Sequence, residues 1–420
     1  MNLDVAQSHL FIWAIAAGAT AGVIVRPFKL PEAVWAVTGA ILLVILGLLP
    51  LADALKAVGK GTDVYLFLIG MMLLSEAARR AGLFDWIAGV AVRHARKSPQ
   101  RLFLMIYGIG IVVTTFLSND ATAVVMTPAV YAATRKAKVE PLPYLFICAF
   151  IANAASFVLP ISNPANLVLY GDHTPPLAQW LGSFALPSVL AIVATFVALR
   201  LTEGRRLTAT FESEVESGPV SAASLTALVG IALTAVVLLV VSALDAQLGL
   251  PTAAMGVLTT AVVLIVSRSS PIQTVKGVSW AVLPLVAGLF VLVEALNATG
   301  LIAALGRRLQ EAVAHGPAAT AWICGGLIAV VSNLMNNLPA GLIASSTIGL
   351  AHPPQTVVDA LLIGVDLGPN LSVTGSLATI LWLTAIRREG EDVSFWRFLR
   401  LGCIVMPPAL IVALAGRLLT

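Results

Sequence analysis

Long apolar runs interrupted by compact polar clusters dominate this chain. The runs predict helices able to cross a hydrocarbon layer of roughly 30 Å, and ten full spans are expected, over 9–25, 32–50, 62–82, 142–170, 177–200, 222–244, 251–267, 278–297, 355–387 and 394–416. The short alternating segments of a membrane barrel are absent from the pattern. Four polar clusters fall inside apolar sequence, at 118–122, 162–166, 332–339 and 366–376. Pro160, Pro164, Pro339 and Pro369 each remove an amide donor there and disrupt a helix. Irregular backbone at membrane depth survives only inside protein or beside a watery cavity, so the four breaks are expected to meet in the interior.

The pattern also repeats. Aligning Leu68–Leu83 with Val286–Leu301 pairs Gly70 with Gly288, Leu74 with Leu292, Glu76 with Glu294 and Gly82 with Gly300. Slightly smaller offsets bring Ser118 and Asn119 over Ser332 and Asn333, and Ile161–Val168 over Val373–Ile380. Three blocks in one order predict an internal repeat. The first repeat is assigned to 1–200, with a re-entrant hairpin over about 102–135 and a broken helix over about 142–170. A charged, polar linker on the cytoplasmic side follows at 201–221. The second repeat occupies 222–420, with its hairpin over about 317–350 and its broken helix over about 355–387. The fold class expected is an all-α polytopic membrane protein of two inverted-topology repeats, about five spans each.

Charge sets the orientation. Arg93, Arg96, Lys97 and Arg101 precede the first hairpin and Arg135, Lys136 and Lys138 follow it, which places both of its ends in the cytoplasm. The second hairpin lacks such flanks and is expected to enter from the opposite side. Lys56, Lys60, Arg307 and Arg308 run against this scheme. Composition agrees with a lipid-facing surface: 59% of residues are hydrophobic and only 11% charged, against about 25% charged in a soluble domain. The net charge of +4 sits near span ends and calls for no nucleic acid. "MNLDVAQSH" has no Lys or Arg, so the first run reads as a retained span rather than a signal peptide.

Little here suggests an enzyme. No phosphate-cradling loop and no nucleophile–base constellation occurs, and no cofactor or metal site is expected. Cys148, Cys324 and Cys403 lie far apart in apolar sequence, with no metal-ligand spacing. The candidate chemistry lies in the four clusters. A Ser or Thr in a span often does no more than bond helices together; asparagines gathered at repeat-matched breaks indicate a binding site. Asp120 and Asp366 are the candidates for carrying protons, with helix N-capping as the competing role. Glu76 and Glu294, near span ends, read as structural side chains reaching toward the interface, and Asp172 and His173 as a solvated loop.

"FLSNDATAVVMTP", "PISNPANLVLYG", "SNLMNNLPAGLIA" and "IGVDLGPNLSVTGSLATILWL" resemble the arsenite efflux permeases, the ArsB family of the ion transporter superfamily, along most of the chain. The resemblance implies export of arsenite or antimonite across a bacterial cytoplasmic (inner) membrane in exchange for protons, in some bacteria with a soluble arsenite ATPase as partner. It places substrate at Asn119, Thr122, Ser162, Asn163, Asn166, Asn333, Asn336, Asn337, Asn370, Ser372 and Thr374, beside Asp120 and Asp366. Arsenite near neutral pH is an uncharged As(OH)₃, which amides and hydroxyls suit. The cysteines lie outside the clusters and are expected not to be ligands. Alternatives within the superfamily are a sodium-coupled carboxylate symporter or a sodium/proton antiporter; outside it, a membrane enzyme or a passive anchor for an ATPase.

Overall fold

The computed structural model of the chain describes residues 4–171, 174–207 and 219–420. Asp172 and His173, and positions 208–218 of the expected linker, lie outside the described residues. Helices are the local outcome that lipid demands of so apolar a chain, because each backbone N–H and C=O must find its partner within the segment. No strand occurs among the described residues.

The first half comprises α1 (Val5–Val25), α2 (Glu32–Ile45), α3 (Leu51–Lys60), α4 (Thr62–Arg80), α5 (Leu83–His94), α6 (Pro99–Phe116), α7 (Asn119–Ala121), α8 (Thr127–Lys136), α9 (Leu142–Ala154), α10 (Pro164–Tyr170) and α11 (Leu177–Glu203). The second comprises α12 (Ala222–Ala243), α13 (Gly249–Ser267), α14 (Pro271–Gly277), α15 (Val282–Ala298), α16 (Leu301–His315), α17 (Pro317–Met335), α18 (Asn337–Ala351), α19 (Gln355–Leu367), α20 (Leu377–Arg388) and α21 (Phe395–Leu419). Among the described residues, eight helices are long and apolar enough to cross a membrane, or nine if α3 and α4, bent by 49° at their junction, form one span. The molecule is an all-α polytopic membrane protein.

Each expected span holds a helix, but only those at 9–25, 177–200, 222–244, 251–267, 278–297 and 394–416 lie in the eight that qualify; the other two are α6 and α17, arms of the expected hairpins, and α3, α5, α14 and α16 arise where no span is expected. Polar and charged residues interleave with the apolar ones in these four, so they do not register as apolar runs. Lys56, Lys60, Arg307 and Arg308, which ran against the charge scheme, lie on the exposed sides of α3 and α16. A helix with one wet face keeps cations away from lipid without marking the end of a span.

The halves pack by exchange. Helix α4 of the first half crosses α13 of the second, and α15, the match of α4, crosses α2, the match of α13. The contacts of α3 with α15 and of α14 with α4 are related in the same way, as are those of α10 with α18 and of α20 with the hairpin arm around α8. A two-fold relation between the halves has this signature. Glycine sets the closest crossings. A Cβ on Gly70 would collide with the backbone of Thr252 and Ala253, and one on Gly288 would lie 2.8 Å from the backbone carbonyl carbon of Ala36. Small residues permit such an approach and supply the dispersion contact that replaces a hydrophobic force between helices in lipid.

Replacing either glycine by leucine forces the crossing apart. Gly70→Leu and Gly288→Leu should each lower stability by about 1–3 kcal/mol, measured as a fall in the thermal unfolding midpoint in detergent. Gly182→Leu, where a Cβ would meet nothing within 4 Å, should leave the midpoint unchanged.

Candidate functional site

Two interrupted hairpins and two broken helices build the site. In the first hairpin α6 stops at Phe116, and Ser118 caps the next arm, its Oγ accepting from the Ala121 N–H at 3.2 Å. That arm runs through α7 and a π-turn over Thr122–Met126 into α8, and Thr122 Oγ1 lies 2.8 Å from Thr114 Oγ1 on α6. In the second hairpin α17 stops at Met335 and Asn336 caps α18, its Oδ1 accepting from the Leu338 N–H at 3.3 Å. Asn336 has φ +76°, a conformation that asparagine tolerates better than most residues.

These caps correct the sequence alignment of the tips. Pro99 and Pro317, Ser118 and Asn336, and Asn119 and Asn337 all stand 218 residues apart, the spacing of Gly70 and Gly288. Ser118 and Asn119 therefore match Asn336 and Asn337, not Ser332 and Asn333, because α17 continues past Ser332 before breaking. The broken helices correspond at 213 residues: Leu142 with Gln355, Ala154 with Leu367, and the helix caps Asn163 and Ser376.

At the centre the two breaks bond to each other. Asp366 on α19 accepts from Asn163 Nδ2 at 2.8 Å and from Ser156 Oγ at 2.7 Å. Asn153 on α9 donates from Nδ2 to Asn370 Oδ1 at 3.0 Å and to Thr379 Oγ1 at 3.3 Å, and accepts from Ser376 Oγ at 3.2 Å. Asn370 also donates to the Phe150 carbonyl at 3.0 Å. All these side chains are buried, and none bonds to a Lys or Arg among the described residues. A carboxyl held only by neutral donors can gain or lose a proton without breaking an ion pair.

Other predicted site residues serve as joints. Asn333 donates to the carbonyls of Ala329 (2.8 Å) and Gly368 (2.9 Å), and its Oδ1 accepts from the N–H (3.0 Å) and hydroxyl (2.8 Å) of Ser372. Thr374 Oγ1 donates to the Asn333 carbonyl at 2.9 Å. In the first half Ser162 Oγ donates to the Thr115 carbonyl at 3.0 Å. Asn166 donates to the carbonyls of Ser156, Leu159 and Pro160, freed by the break, at 2.9 to 3.3 Å. Some groups stay uncommitted. Asn166 Oδ1 and Thr115 Oγ1 are buried without a partner among the described residues. Asn119 uses its Oδ1 for the Asp120 N–H (2.9 Å) and Asn337 its backbone N–H for the Gly375 carbonyl (2.9 Å); both side-chain NH₂ groups remain unbonded among the described residues.

Beside this seam lie two matched cavities. One, of about 70 Å³, is lined by Ser75, Glu76, Ser118 and Asp120. The other, of about 180 Å³, is lined by Lys60, Asp63, Phe290 and Glu294. At the 218-residue spacing, Met72, Ser75, Glu76 and Val278 of the first answer to Phe290, Val293, Glu294 and Lys60 of the second. Glu76 corrects an expectation: it does not reach toward the interface but is buried, gripped by Arg79 at 2.6 and 2.7 Å and Arg80 at 2.8 Å. Its match Glu294 pairs with Lys60 at 2.7 Å.

Sequence reading missed Asn153, Ser156 and Asp359. Asp359, fully buried on α19, accepts from Tyr170, Gln355 and Arg417 at 2.6 to 2.7 Å and ties α10 to α19 and α21. The available signal was an ionisable residue inside an apolar segment, which warrants a partner by default. Cys148 is buried, Cys324 half-buried and Cys403 exposed, on three different helices.

Apolar spans joined by two polar breaks through a buried seam define a membrane transporter. The match to known proteins is specific: residues 10–365 fit the family described as citrate transporter, and the chain belongs to that family. It is 28% identical to the arsenical pump membrane protein of Yersinia enterocolitica, over 83% of this chain and 84% of that one. It is 27% identical to the arsenical pump membrane protein of Escherichia coli, over 91% and 92%. These relatives accord with the resemblance drawn from the cluster motifs. The crystal structure of the Alcanivorax borkumensis YdaH transporter shares the fold, with a TM-score of 0.57 and 17% identity over 87% of this chain and 85% of that one.

The division of labour among the asparagines is testable. Asn333→Ala leaves two carbonyls and the Ser372 donors unpaired and should lower stability by about 1–3 kcal/mol, seen as a lower unfolding midpoint in detergent. Asn337→Ala, which removes no side-chain bond among the described residues, should leave the midpoint near its native value, and Asn119→Ala, which frees the Asp120 N–H alone, should lower it less than Asn333→Ala does; both should reduce transport at least tenfold.

Proposed function

We propose that the chain exports trivalent metalloid, arsenite or antimonite, from the cytoplasm in exchange for protons, as two inverted repeats alternating a shared midplane site between the two faces of a bacterial inner membrane. The observation that carries this is a buried seam rich in amides and hydroxyls and free of fixed positive charge. As(OH)₃ presents only hydroxyl groups, each able to donate and accept. The unbonded NH₂ groups of Asn119 and Asn337 and the unpartnered Asn166 Oδ1 and Thr115 Oγ1 supply complementary donors and acceptors. The arsenical pump relatives point to the same cargo.

The family's description favours a second reading, transport of a carboxylate such as citrate. A tricarboxylate entering this seam would meet Asp366 and no cation, and would need helix N-termini alone to hold its charge. Repulsion and desolvation both oppose that, so the uncharged cargo is preferred. In the proposed cycle a proton binds Asp366 or Asp120 from outside, metalloid leaves outward, and release of the proton inward resets the site. Moving one charge through 100 mV is worth about 2.3 kcal/mol, which sustains a gradient of about fifty-fold. ATP is not needed for this cycle; a soluble arsenite ATPase, where present, would add to it.

Purified protein in liposomes, with a pH gradient imposed and neither ATP nor sodium present, should accumulate arsenite. Dependence on sodium, or flux of citrate in place of arsenite, overturns the reading. Asp366→Asn or Asp120→Asn should abolish gradient-driven accumulation while leaving arsenite counterflow; intact coupling in both removes the proton assignment. Exchanging Cys148, Cys324 and Cys403 together for serine should keep flux within about two-fold, since the amide and hydroxyl set alone is assigned to the cargo.

A further inference from the structure

Asp366 has a structural twin. The 213-residue register that sets Leu142 on Gln355 and Ala154 on Leu367 sets Asn153 on Asp366 and Asn163 on Ser376. Hydrogen bonding follows the same exchange. Asn163, cap of α10, donates to Asp366 at 2.8 Å; Ser376, cap of α20, donates to Asn153 at 3.2 Å. Both acceptors are fully buried. The centre of the molecule therefore holds two like-placed side chains of nearly equal size, one able to take up a proton and one not.

We propose that Asn153 is the charge-neutral counterpart of Asp366 and a positioning residue that limits the protons carried per cycle, because it fills the second acceptor place without ionising. This rests on the reading that Asp366 carries a proton.

The surroundings of Asn153 are those of a carboxyl site that has been given an amide. Ser376 already donates to its Oδ1, and the Thr379 hydroxyl, now accepting from Nδ2, can rotate to donate. A carboxyl at position 153 would thus find two neutral donors, as Asp366 finds in Ser156 and Asn163, and in its protonated form would itself donate to Asn370 Oδ1, which now accepts from Nδ2 at 3.0 Å. An amide at position 366 is also accommodated, because the Ser156 hydroxyl, which lies 2.7 Å from both Asp366 Oδ2 and the Asn153 carbonyl, can turn its proton to the carbonyl and accept from the new NH₂ group.

Among the described residues no cation competes for either place. On the helices packed against α9 and α19, Arg417 is engaged with Asp359 and Tyr170 bonds to the same carboxylate. Arg397 stands 5.6 Å over the Phe146 ring, and Arg400 is exposed. Tyr107 donates to the Ile192 carbonyl, Tyr144 to that of Pro99, and the Cys148 thiol faces the Tyr144 carbonyl. Cys324 on α17 and Tyr131 on α8 bond to neither acceptor. Arg101, Arg135, Lys136, Arg200, Glu203, Arg387 and Arg388 occupy helix ends, and Asp120 opens on the cavity with Glu76.

The test compares Asp366→Asn, Asn153→Asp and the swap of both, each as the full chain in liposomes with arsenite as probe. Coupling is read as the pH gradient at which net arsenite flux reverses, and counterflow verifies a folded carrier. Asp366→Asn should lose its dependence on the gradient, and the swap should regain it. Asn153→Asp alone should move the reversal point to a smaller gradient, by up to about half if the native ratio is one proton. A swap that exchanges arsenite by counterflow yet stays uncoupled overturns the inference. Where the swap does not fold, an unchanged reversal point in Asn153→Asp overturns it instead. Absence of arsenite flux in the native protein, or full coupling in Asp366→Asn, would count against the transport reading itself and so be told apart from failure of the twin.

Discussion

Inside a bilayer a broken helix has no water to satisfy the carbonyls and amides it frees, and this architecture follows from how that requirement is met. Asn166 covers three carbonyls of the first break, Asn333 bridges Ala329 to Gly368 at the second, and Asn370 covers Phe150 on the opposite repeat. Tryptophan assists at the margins: Trp180 donates to the Phe157 carbonyl and Trp382 to that of Leu145. An amide does this without importing charge, which is why asparagine rather than lysine or arginine accumulates at the breaks. Donors and acceptors left over after those bonds, such as Asn166 Oδ1 and Thr115 Oγ1, are the ones assigned to a ligand in the proposed function.

Two-fold exchange then turns local breaks into one site. Because α10 packs on the second hairpin and α20 on the first, each repeat completes the other's pocket. The relation is strict where packing rules, as at Gly70 and Gly288, and relaxed where charge must be neutralised. Glu76 takes its cations from its own helix, whereas Glu294 takes Lys60 from α3; the place matching Lys60 is Val278, beside Gly277. Some departures from symmetry fall at ionisable positions. Asp366 facing Asn153, and Asp120 facing a position occupied by Leu338 in the other repeat, are the clearest. A near-symmetric scaffold thus carries an asymmetric set of ionisable side chains.

Neutrality of the seam also bears on cargo. One family fold spans members whose names refer to citrate and to arsenicals, so the fold alone does not choose. Fixed cations would suit a polyanion; a lining of hydroxyls and amides suits a small uncharged hydroxide. The cysteines lie on three separate helices, and Cys148, on the helix that carries Asn153, has its thiol turned to the Tyr144 carbonyl.

The all-α class, the four polar breaks and six of the ten expected spans were legible in the chain, because a hydrocarbon solvent penalises every unpaired polar group and writes that penalty into composition. So was the recurrence of Gly70 and Glu76 in the second half. What remained hidden needed three dimensions. The one-turn shift of the hairpin register, setting Asn119 on Asn337, depends on where α17 ends, and no propensity fixes that. The bonds of Asn163 and Ser156 to Asp366 join residues some two hundred positions apart, and only the crossing of the repeats decides which asparagines become joints and which stay free. Local sequence dictates what each segment needs from its surroundings; the tertiary fold decides which partner supplies it, since hydrogen bonds act over about 3 Å of space whatever the separation along the chain.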